Sequence, residues 1–412
     1  MSPLTKEPRS PVSVERAMEH GLLTIRRAWA AGMPDFEGWG GYELDPEPLV
    51  IHDLNGQVLF YEFGVMKGRQ MVGSIRASAS KIIGSTVPAV QIGPRRWDPG
   101  KAAKAAQDKV KKRFPRAEVT ETELVCYSYP KIGVRVYIED SESKRQSLIL
   151  DAGDLSFVER YGVDEPEGFG SWSFYAVAER NAEERVQRWE QTDRELEGAR
   201  SATPEILARG YTARELSKVK EMFIPQPQEW KTYLEPIPWY SWRTIRSSPR
   251  CNTHECFELY AQQTNVYCAV ATGQMILDFY RYYYTQDEIA EAMGTGAGGT
   301  SNSGQVSGYE SLSKKCLDAT YDPTADWAEA KAEIDANRPL KSGIPGHARA
   351  CAGWKRENFC IWPGPCKRWL KIYDPWPWSA DICNGGAVYW EDWATETHTN
   401  FIYVRHRATP CL

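Results

Sequence analysis

The 412-residue chain lacks features that several classes of protein require. It carries 50 Lys and Arg against 55 Asp and Glu, so no excess of positive charge is available for a nucleic-acid backbone. Its longest apolar runs, such as 147–150 and 274–280, fall far short of the roughly 20 residues of a membrane-spanning helix. The N-terminal residues show no basic and then apolar signal-peptide pattern. We therefore expect neither a nucleic-acid-binding protein nor a membrane protein.

Cysteine is nearly absent from the first 250 residues. Only Cys126 lies there, while the other nine of the ten cysteines fall between Cys251 and Cys411. One nucleophile taken from nine leaves eight, which pair as disulfides in an oxidising compartment and stay reduced in a reducing one. Because no signal peptide is legible, we expect a cytoplasmic protein with mostly reduced thiols. The cysteine density leaves an extracellular location as the alternative.

What the sequence does have is the composition of a globular protein, with 42% hydrophobic and 25% charged residues. Residues 14–163 open with an amphipathic helical pattern over 14–30 and continue with β-rich runs separated by the turn signal at Asn55. Asp98 is the predicted N-cap residue of a second helix, and three further short strands are predicted after that helix. This order predicts an α+β domain built on an antiparallel sheet.

Residues 164–249 have a different composition. Two highly charged helical patterns cover 172–198 and 204–222, and four prolines between 225 and 238 then exclude a regular element. We predict a helical and proline-rich connector over 164–249, with a boundary near residue 250 and a C-terminal α+β domain over 250–412.

The residues that carry chemistry lie in this C-terminal part. Cys268 heads an apolar helical pattern and follows the polar run 262–265. A thiol at a helix N-terminus lies at the positive end of the helix dipole, which stabilises the nucleophilic thiolate. His347 opens one predicted strand and Asp374 ends another, so the carboxylate can orient the imidazole. The order Cys, His, Asp predicts a nucleophile, its general base and an orienting acid.

These residues resemble the papain-like cysteine peptidases of the streptopain and bacteriocin-processing (double-glycine leader) type over 255–405. In that family a glutamine six positions before the nucleophile forms the oxyanion hole with the cysteine's own N–H. Gln262 stands at that spacing before Cys268, and Gln263 is the fallback. The match extends to the His strand and the Asp-Pro turn, through Gly346, Gly353, Trp354, Pro375 and Trp376.

The resemblance implies a papain-like catalytic domain that hydrolyses peptide bonds of a peptide or protein substrate. Its catalytic residues would be Cys268, His347, Asp374 and Gln262. The chain departs from the family pattern at Ala269, where relatives usually carry glycine, and by an insertion over 356–368 that alters the rim of the cleft.

The first domain resembles the PepSY-like pro-domain that precedes streptopain-type catalytic domains, over 53–81 and the following helix. This resemblance implies a zymogen in which residues 14–163 contact the catalytic cleft and restrain it, with the connector as tether. The alternative is a permanent structural or substrate-capturing module.

Two other functions fit the same residues. A transglutaminase-like acyl transferase uses the same triad and differs only in the second nucleophile, and a catalytically dead peptidase fold would be a binding protein. Selective labelling of Cys268 by a thiol reagent separates an enzyme from the dead fold.

Neither a cofactor nor a metal is expected. His254 lies between two cysteines, but the spacing of a distant pair, Cys360 and Cys366, is poor for zinc and suits a small disulfide loop or two unlinked thiols. The glycine-rich stretch 294–308 lacks the Gly-Lys-Ser/Thr ending of a phosphate loop, so we expect a flexible rim of the cleft or a solvated linker. Trp376 and Trp378 follow Asp374 and are expected to shield the His–Asp pair from water.

Overall fold

The computed structural model describes residues 10–158, 170–202, 240–248, 250–358, 366–395 and 397–407. These ranges contain separate runs of helices and of mostly antiparallel strands, which confirms the predicted α+β class. No helix of the described ranges combines the length and apolar character needed to cross a bilayer.

The α-helices begin where the sequence offers a cap. Ser13, Asp98 and Ser301 each accept a hydrogen bond from a backbone N–H of the helix that follows, and Thr285 opens a capping box with Glu288. The helix that begins at Cys268 differs, because its N-cap residue makes no side-chain hydrogen bond to it. The described α-helices are α1 Val14–Ala30, α2 Pro99–Arg113, α3 Phe174–Ala178, α4 Ala182–Ala202, α5 Cys268–Phe279, α6 Gln286–Met293, α7 Asn302–Leu312 and α8 Trp327–Asp335.

The strands join into one sheet that runs through the whole described chain. The predicted meander is present as β2–β4, with turns at Gly56 and Gly68, whose φ values of 83° and 60° favour glycine. The described strands are β1 Glu43–Leu44, β2 Leu49–Asp53, β3 Val58–Lys67, β4 Gln70–Ser78, β5 Ala89–Ile92, β6 Glu118–Ser128, β7 Lys131–Glu139, β8 Arg145–Asp151, β9 Tyr240–Thr244, β10 Leu317–Asp322, β11 Leu340–Ile344, β12 His347–Glu357, β13 Arg368–Asp374, β14 Ala387–Asp392 and β15 Asn400–His406.

The strand order is β10-β15-β11-β12-β13-β14-β5-β4-β3-β2-β6-β7-β8, with β1 beside β3 and β9 beside β12. The junction between residues 10–158, the N-terminal part, and residues 240–407, the C-terminal part, is the antiparallel pair β14 and β5. Strand β9 precedes residue 250 and already belongs to the C-terminal sheet. The helix expected over 204–222 and the four prolines lie outside the described residues.

Side chains of the two parts also share their cores. Trp376 and Ile344 of the C-terminal part pack into the cluster around β6 and β7, and Trp390 packs into the cluster around α1. Asp35 accepts hydrogen bonds from Lys371 Nζ and Trp390 Nε1, both at 2.9 Å. The N-terminal part is therefore joined to the C-terminal part by backbone, apolar and charged contacts together.

From the sequence we expected a flexible rim of the cleft or a solvated linker over 294–308. The structure differs, because part of this stretch is helical. Residues 302–308 form the start of α7, and Gly304 and Gly308 lie directly against Met293 at the end of α6. A Cβ at either glycine would collide with Met293. The glycines therefore allow two helices to pack closely, which is a requirement that composition alone does not show.

The cysteines of the C-terminal part are more oxidised than expected. Cys251 and Cys383 form a disulfide across 132 positions, and Cys316 and Cys366 are also disulfide-bonded. The expectation of reduced thiols is wrong for these four residues in this structure. Cys360 and Cys411 lie outside the described residues, and the described cysteines without a disulfide are Cys126, Cys256, Cys268 and Cys351.

We predict that Asp35→Ala lowers the free energy of unfolding by about 2–3 kcal/mol, because it leaves the buried Lys371 ammonium and the Trp390 indole N–H without their acceptor. Urea unfolding followed by fluorescence measures this loss. Asp45→Ala is the control, since Asp45 only accepts from Glu47 N in a local turn. Equal free energies of unfolding for the two variants would contradict the proposed contribution of the Asp35 hydrogen bonds to stability.

Candidate active site

The Cys268 thiol lies at the first residue of α5 and is fully buried. Cys268, Ala269 and Ala348 form a small buried cluster of their own. Ala348 follows His347 at the start of β12, so the packing of α5 on this strand brings the thiol to the end of the strand that carries the imidazole. Ala269, which replaces the glycine of the resembled family, is accommodated in the same cluster.

His347 and Asp374 meet at neighbouring strand ends. His347 Nε2 lies 2.6 Å from Asp374 Oδ1, and both side chains are buried. Oδ1 also accepts a hydrogen bond from the backbone N–H of Trp376 at 2.9 Å. His347 Nδ1 has no hydrogen-bond partner in the described part of the chain, which leaves this nitrogen to accept a proton. The sequence-predicted orienting contact between imidazole and carboxylate is thus formed.

The surroundings favour the neutral form of His347 and the ionised form of Asp374. Burial is the largest cause that lowers the pKa of His347; the Lys131 and Arg349 cations act in the same direction and Asp374 opposes them, which leaves that pKa at about 4. Burial acts to raise the pKa of Asp374, but His347 and Arg349 outweigh it and leave that pKa below its ordinary value. At neutral pH the pair therefore consists of a neutral imidazole and an ionised carboxylate.

Gln262 is held by its backbone beside the loop that follows Asp374. Its N–H donates to Pro375 O at 3.0 Å, and its carbonyl accepts from Ser379 N at 2.9 Å. The side-chain Nε2 donates to Thr264 O at 2.7 Å, while Oε1 has no partner in the described residues. Gln263 instead donates from Nε2 to Ala380 O at 3.0 Å.

The N-terminal part covers this site through the hairpin of β6 and β7 and the end of β8, and Trp172, which follows the N-terminal part in the chain, adds a contact. Lys131 Nζ donates to Gly346 O at 3.3 Å, directly beside His347. Trp172 Nε1 donates to Pro345 O at 2.9 Å, and Trp376 Nε1 donates to Asp151 Oδ2 at 2.8 Å. These contacts explain why the side chains of the candidate site are inaccessible to solvent.

A small cavity of about 30 Å³ remains between the cover and the candidate site. Gln262 and Trp378 line it from the C-terminal part, and Lys131 and Asp151 line it from the N-terminal part. Gln263 does not line this cavity. Trp376 and Trp378 both line the cavity, and Trp376 is also buried against the N-terminal core.

Three residues around Asp374 were missed from the sequence as site residues. Tyr389, Arg349 and Glu391 form a buried polar network behind the carboxylate, described below. Their only sequence signal is that Arg349 lies two positions after His347 on the same strand face. Outside this network, His254 contacts Asp278 through Nδ1 rather than the neighbouring cysteines.

Comparison with known proteins finds a family match over the part of the chain that contains this site. Residues 254–393 match the model of the Peptidase_C39 like family, a range that contains Cys268, His347 and Asp374. No curated protein matches the chain. Among solved structures, the peptidase domain of Streptococcus ComA, described as a bi-functional ABC transporter involved in a quorum sensing pathway, is 15% identical. That match covers 37% of this chain and 99% of that domain, with a TM-score of 0.27.

The family match supports a cysteine peptidase as the class of protein to which residues 254–393 are similar. The resemblance to bacteriocin-processing peptidases is thereby supported at the level of the family over residues 254–393. The streptopain type and the PepSY-like pro-domain remain predictions.

We predict that Lys131→Met raises the pKa of His347 above its value of about 4, because the variant removes a cation that disfavours the imidazolium. NMR titration of ring-labelled histidine in the folded protein measures the midpoint. Lys144→Met, in an exposed turn, is the matched control and should leave the midpoint unchanged. An unaltered midpoint in the Lys131 variant would show that the ammonium does not act on His347.

Proposed function

We propose that the protein is a cysteine peptidase with Cys268 as nucleophile and His347 as general base. The observation that carries the proposal is the buried His347–Asp374 hydrogen bond beside the helix that Cys268 begins. The family match over 254–393 supports the same activity. Asp374 orients the imidazole through Nε2, so that Nδ1 faces the proton it must accept.

The reaction proceeds in two halves. His347 Nδ1 takes the thiol proton, and the Cys268 sulfur forms a bond to the carbonyl carbon of the substrate. The carbon–nitrogen bond then breaks, and the imidazolium gives its proton to the leaving amine. A water molecule attacks the resulting thioester while His347 accepts one of its protons; the carbon–sulfur bond then breaks, the imidazolium returns that proton to the Cys268 sulfur, and the carboxylic acid product leaves and ionises in solvent.

Gln262 is the proposed oxyanion donor, together with the backbone N–H of Cys268. Its backbone is clamped at Pro375 and Ser379, which restricts where the side chain can lie. Only one of the two amide hydrogens is needed for Thr264 O, so the second is available to a developing negative charge.

The N-terminal part is proposed to restrain this enzyme. A thiol with 0% exposure cannot meet a peptide bond, so substrate requires the covering hairpin to withdraw. Lys131 and Trp172 hold the turn at 345–346 through its carbonyl groups. The β14–β5 pair keeps the N-terminal part attached even when a connector is cut, so withdrawal of the hairpin rather than loss of the whole part is the expected activating step.

Cys268→Ala is expected to abolish hydrolysis of casein or a peptide library while the fold is kept. His347→Ala should be comparably severe and Asp374→Ala milder, because the carboxylate orients without reacting. Gln262→Ala should cost on the order of 10²–10³ in rate. Cys256→Ala, which removes a thiol outside the site, should retain full activity.

The measurement also separates the alternatives. Hydrolysis that survives in Cys268→Ala would refute the proposed nucleophile. Incorporation of an added amine in place of water would indicate the acyl transferase. A dead fold would show neither turnover nor preferential alkylation of Cys268 over the other thiols, even in the Lys131→Met/Trp172→Phe variant that releases the covering hairpin.

Restraint is tested with the double variant Lys131→Met/Trp172→Phe, which removes both hydrogen bonds to the 345–346 turn and keeps apolar bulk. We expect iodoacetamide to label Cys268 several-fold faster and peptide hydrolysis to rise. Lys144→Met serves again as the control. Lower hydrolysis with unchanged labelling would instead indicate a permanent structural module.

A further inference from the structure

The second carboxylate oxygen of Asp374 has a partner that the triad does not explain. Oδ1 is occupied by His347 Nε2 and the N–H of Trp376, whereas Oδ2 lies 2.8 Å from the hydroxyl of Tyr389. Tyr389 lies on β14 and is buried. Both oxygens of the carboxylate are therefore held, which fixes its plane as well as its position.

The direction of the Tyr389 hydrogen bond follows from its other neighbour. Arg349 Nη1 lies 2.9 Å from the same hydroxyl oxygen, and a guanidinium can only donate. The hydroxyl accepts from Arg349, so its single proton points to Asp374 Oδ2. Burial raises the pKa of Tyr389 well above its ordinary value, which agrees with a hydroxyl that keeps its proton.

Arg349 is in turn fixed by an ion pair. Its Nη1 lies 2.8 Å from Glu391 Oε2, and both side chains have 0% exposure. Glu391 balances the guanidinium charge, so that the cation can lie close to the His347–Asp374 pair without an uncompensated buried charge. This network contains no solvent-exposed member.

The sheet register places all of these groups on one face. His347 and Arg349 are two positions apart on β12, and Tyr389 and Glu391 are two positions apart on β14. Strand β13 lies between them and ends with Asp374, which pairs with Ala387. A network across three adjacent strands thus converges on a single carboxylate.

We propose that Tyr389 and Arg349 are positioning residues of the proposed hydrolysis, holding Asp374 ionised and aimed at His347 Nε2. The consequence for the reaction is that the Nε2 proton stays on the carboxylate side and Nδ1 stays open to the thiol. This inference rests on the proposed function, and it assigns to two residues outside the triad the task of setting the histidine tautomer.

Tyr389→Phe tests the inference because it removes one oxygen and keeps the ring. We expect roughly a tenfold loss of kcat with KM nearly unchanged, since the lost hydrogen bond aligns the base rather than binds substrate. Without this donor the ionised form of Asp374 is less favoured, so the acid limb of the pH–rate profile should move to higher pH. Arg349→Lys keeps the charge but loses the planar fork, and is expected to fall between wild type and Tyr389→Phe.

Tyr403→Phe is the matched control, because it removes a buried tyrosine hydroxyl of the same sheet that donates to Glu329, away from Asp374. It should leave the pH profile unchanged. If Tyr389→Phe fails to fold, Arg349→Lys carries the same measurement.

A second readout separates this inference from the proposed function. The pH dependence of Cys268 alkylation reports on the thiol–imidazole pair without any peptide substrate. A shifted alkylation profile in Tyr389→Phe supports the positioning role even when wild-type protein hydrolyses no peptide, which would refute only the peptidase. Alkylation and hydrolysis profiles that coincide with wild type would overturn the positioning role.

Discussion

The hydrogen bond between His347 Nε2 and Asp374 Oδ1 requires much of the structure around it. A carboxylate taken fully out of water costs several kcal/mol unless all its lone pairs are satisfied and its charge is balanced. The Trp376 N–H and the Tyr389 hydroxyl supply the remaining hydrogen bonds, and Arg349 supplies charge. Arg349 in turn needs Glu391. Each buried polar group here thus requires the next.

The same strand links this network to the N-terminal part. Strand β14 carries Tyr389 and Glu391, and these residues pair in register with Gln91 and Ala89 of β5. The covering hairpin contacts the other side of the site, at the carbonyl of Gly346. The N-terminal part therefore borders both the base and the residues behind its carboxylate. The proposed restraint and the proposed positioning would therefore both depend on this interface.

The covered site also differs electrostatically from an exposed one. Burial and the nearby Lys131 ammonium disfavour the imidazolium, which is the form that must arise when His347 takes the thiol proton. A cover that only blocked access would leave the basicity of His347 unchanged. Under the proposed restraint, the contact at Gly346 would do both, because it places the Lys131 cation beside His347 while the hairpin covers the buried thiol.

The sequence by itself determined the local features. Caps at Ser13 and Asp98 define where helices begin, and the residue pattern predicts a strand that begins at His347 and a strand that ends at Asp374. Tyr389 was missed because its role depends on the register of β14 against β13, and a slip of one residue would turn it to the other face. Only the tertiary structure decided that the sheet continues from β14 into β5 and that the thiol is covered. The continuation of the sheet and the cover over the thiol depend on contacts between residues far apart in the chain, for which a single sequence carries no local signal, whereas the helix over 302–308 has a local cap at Ser301 that the glycine-rich composition obscured.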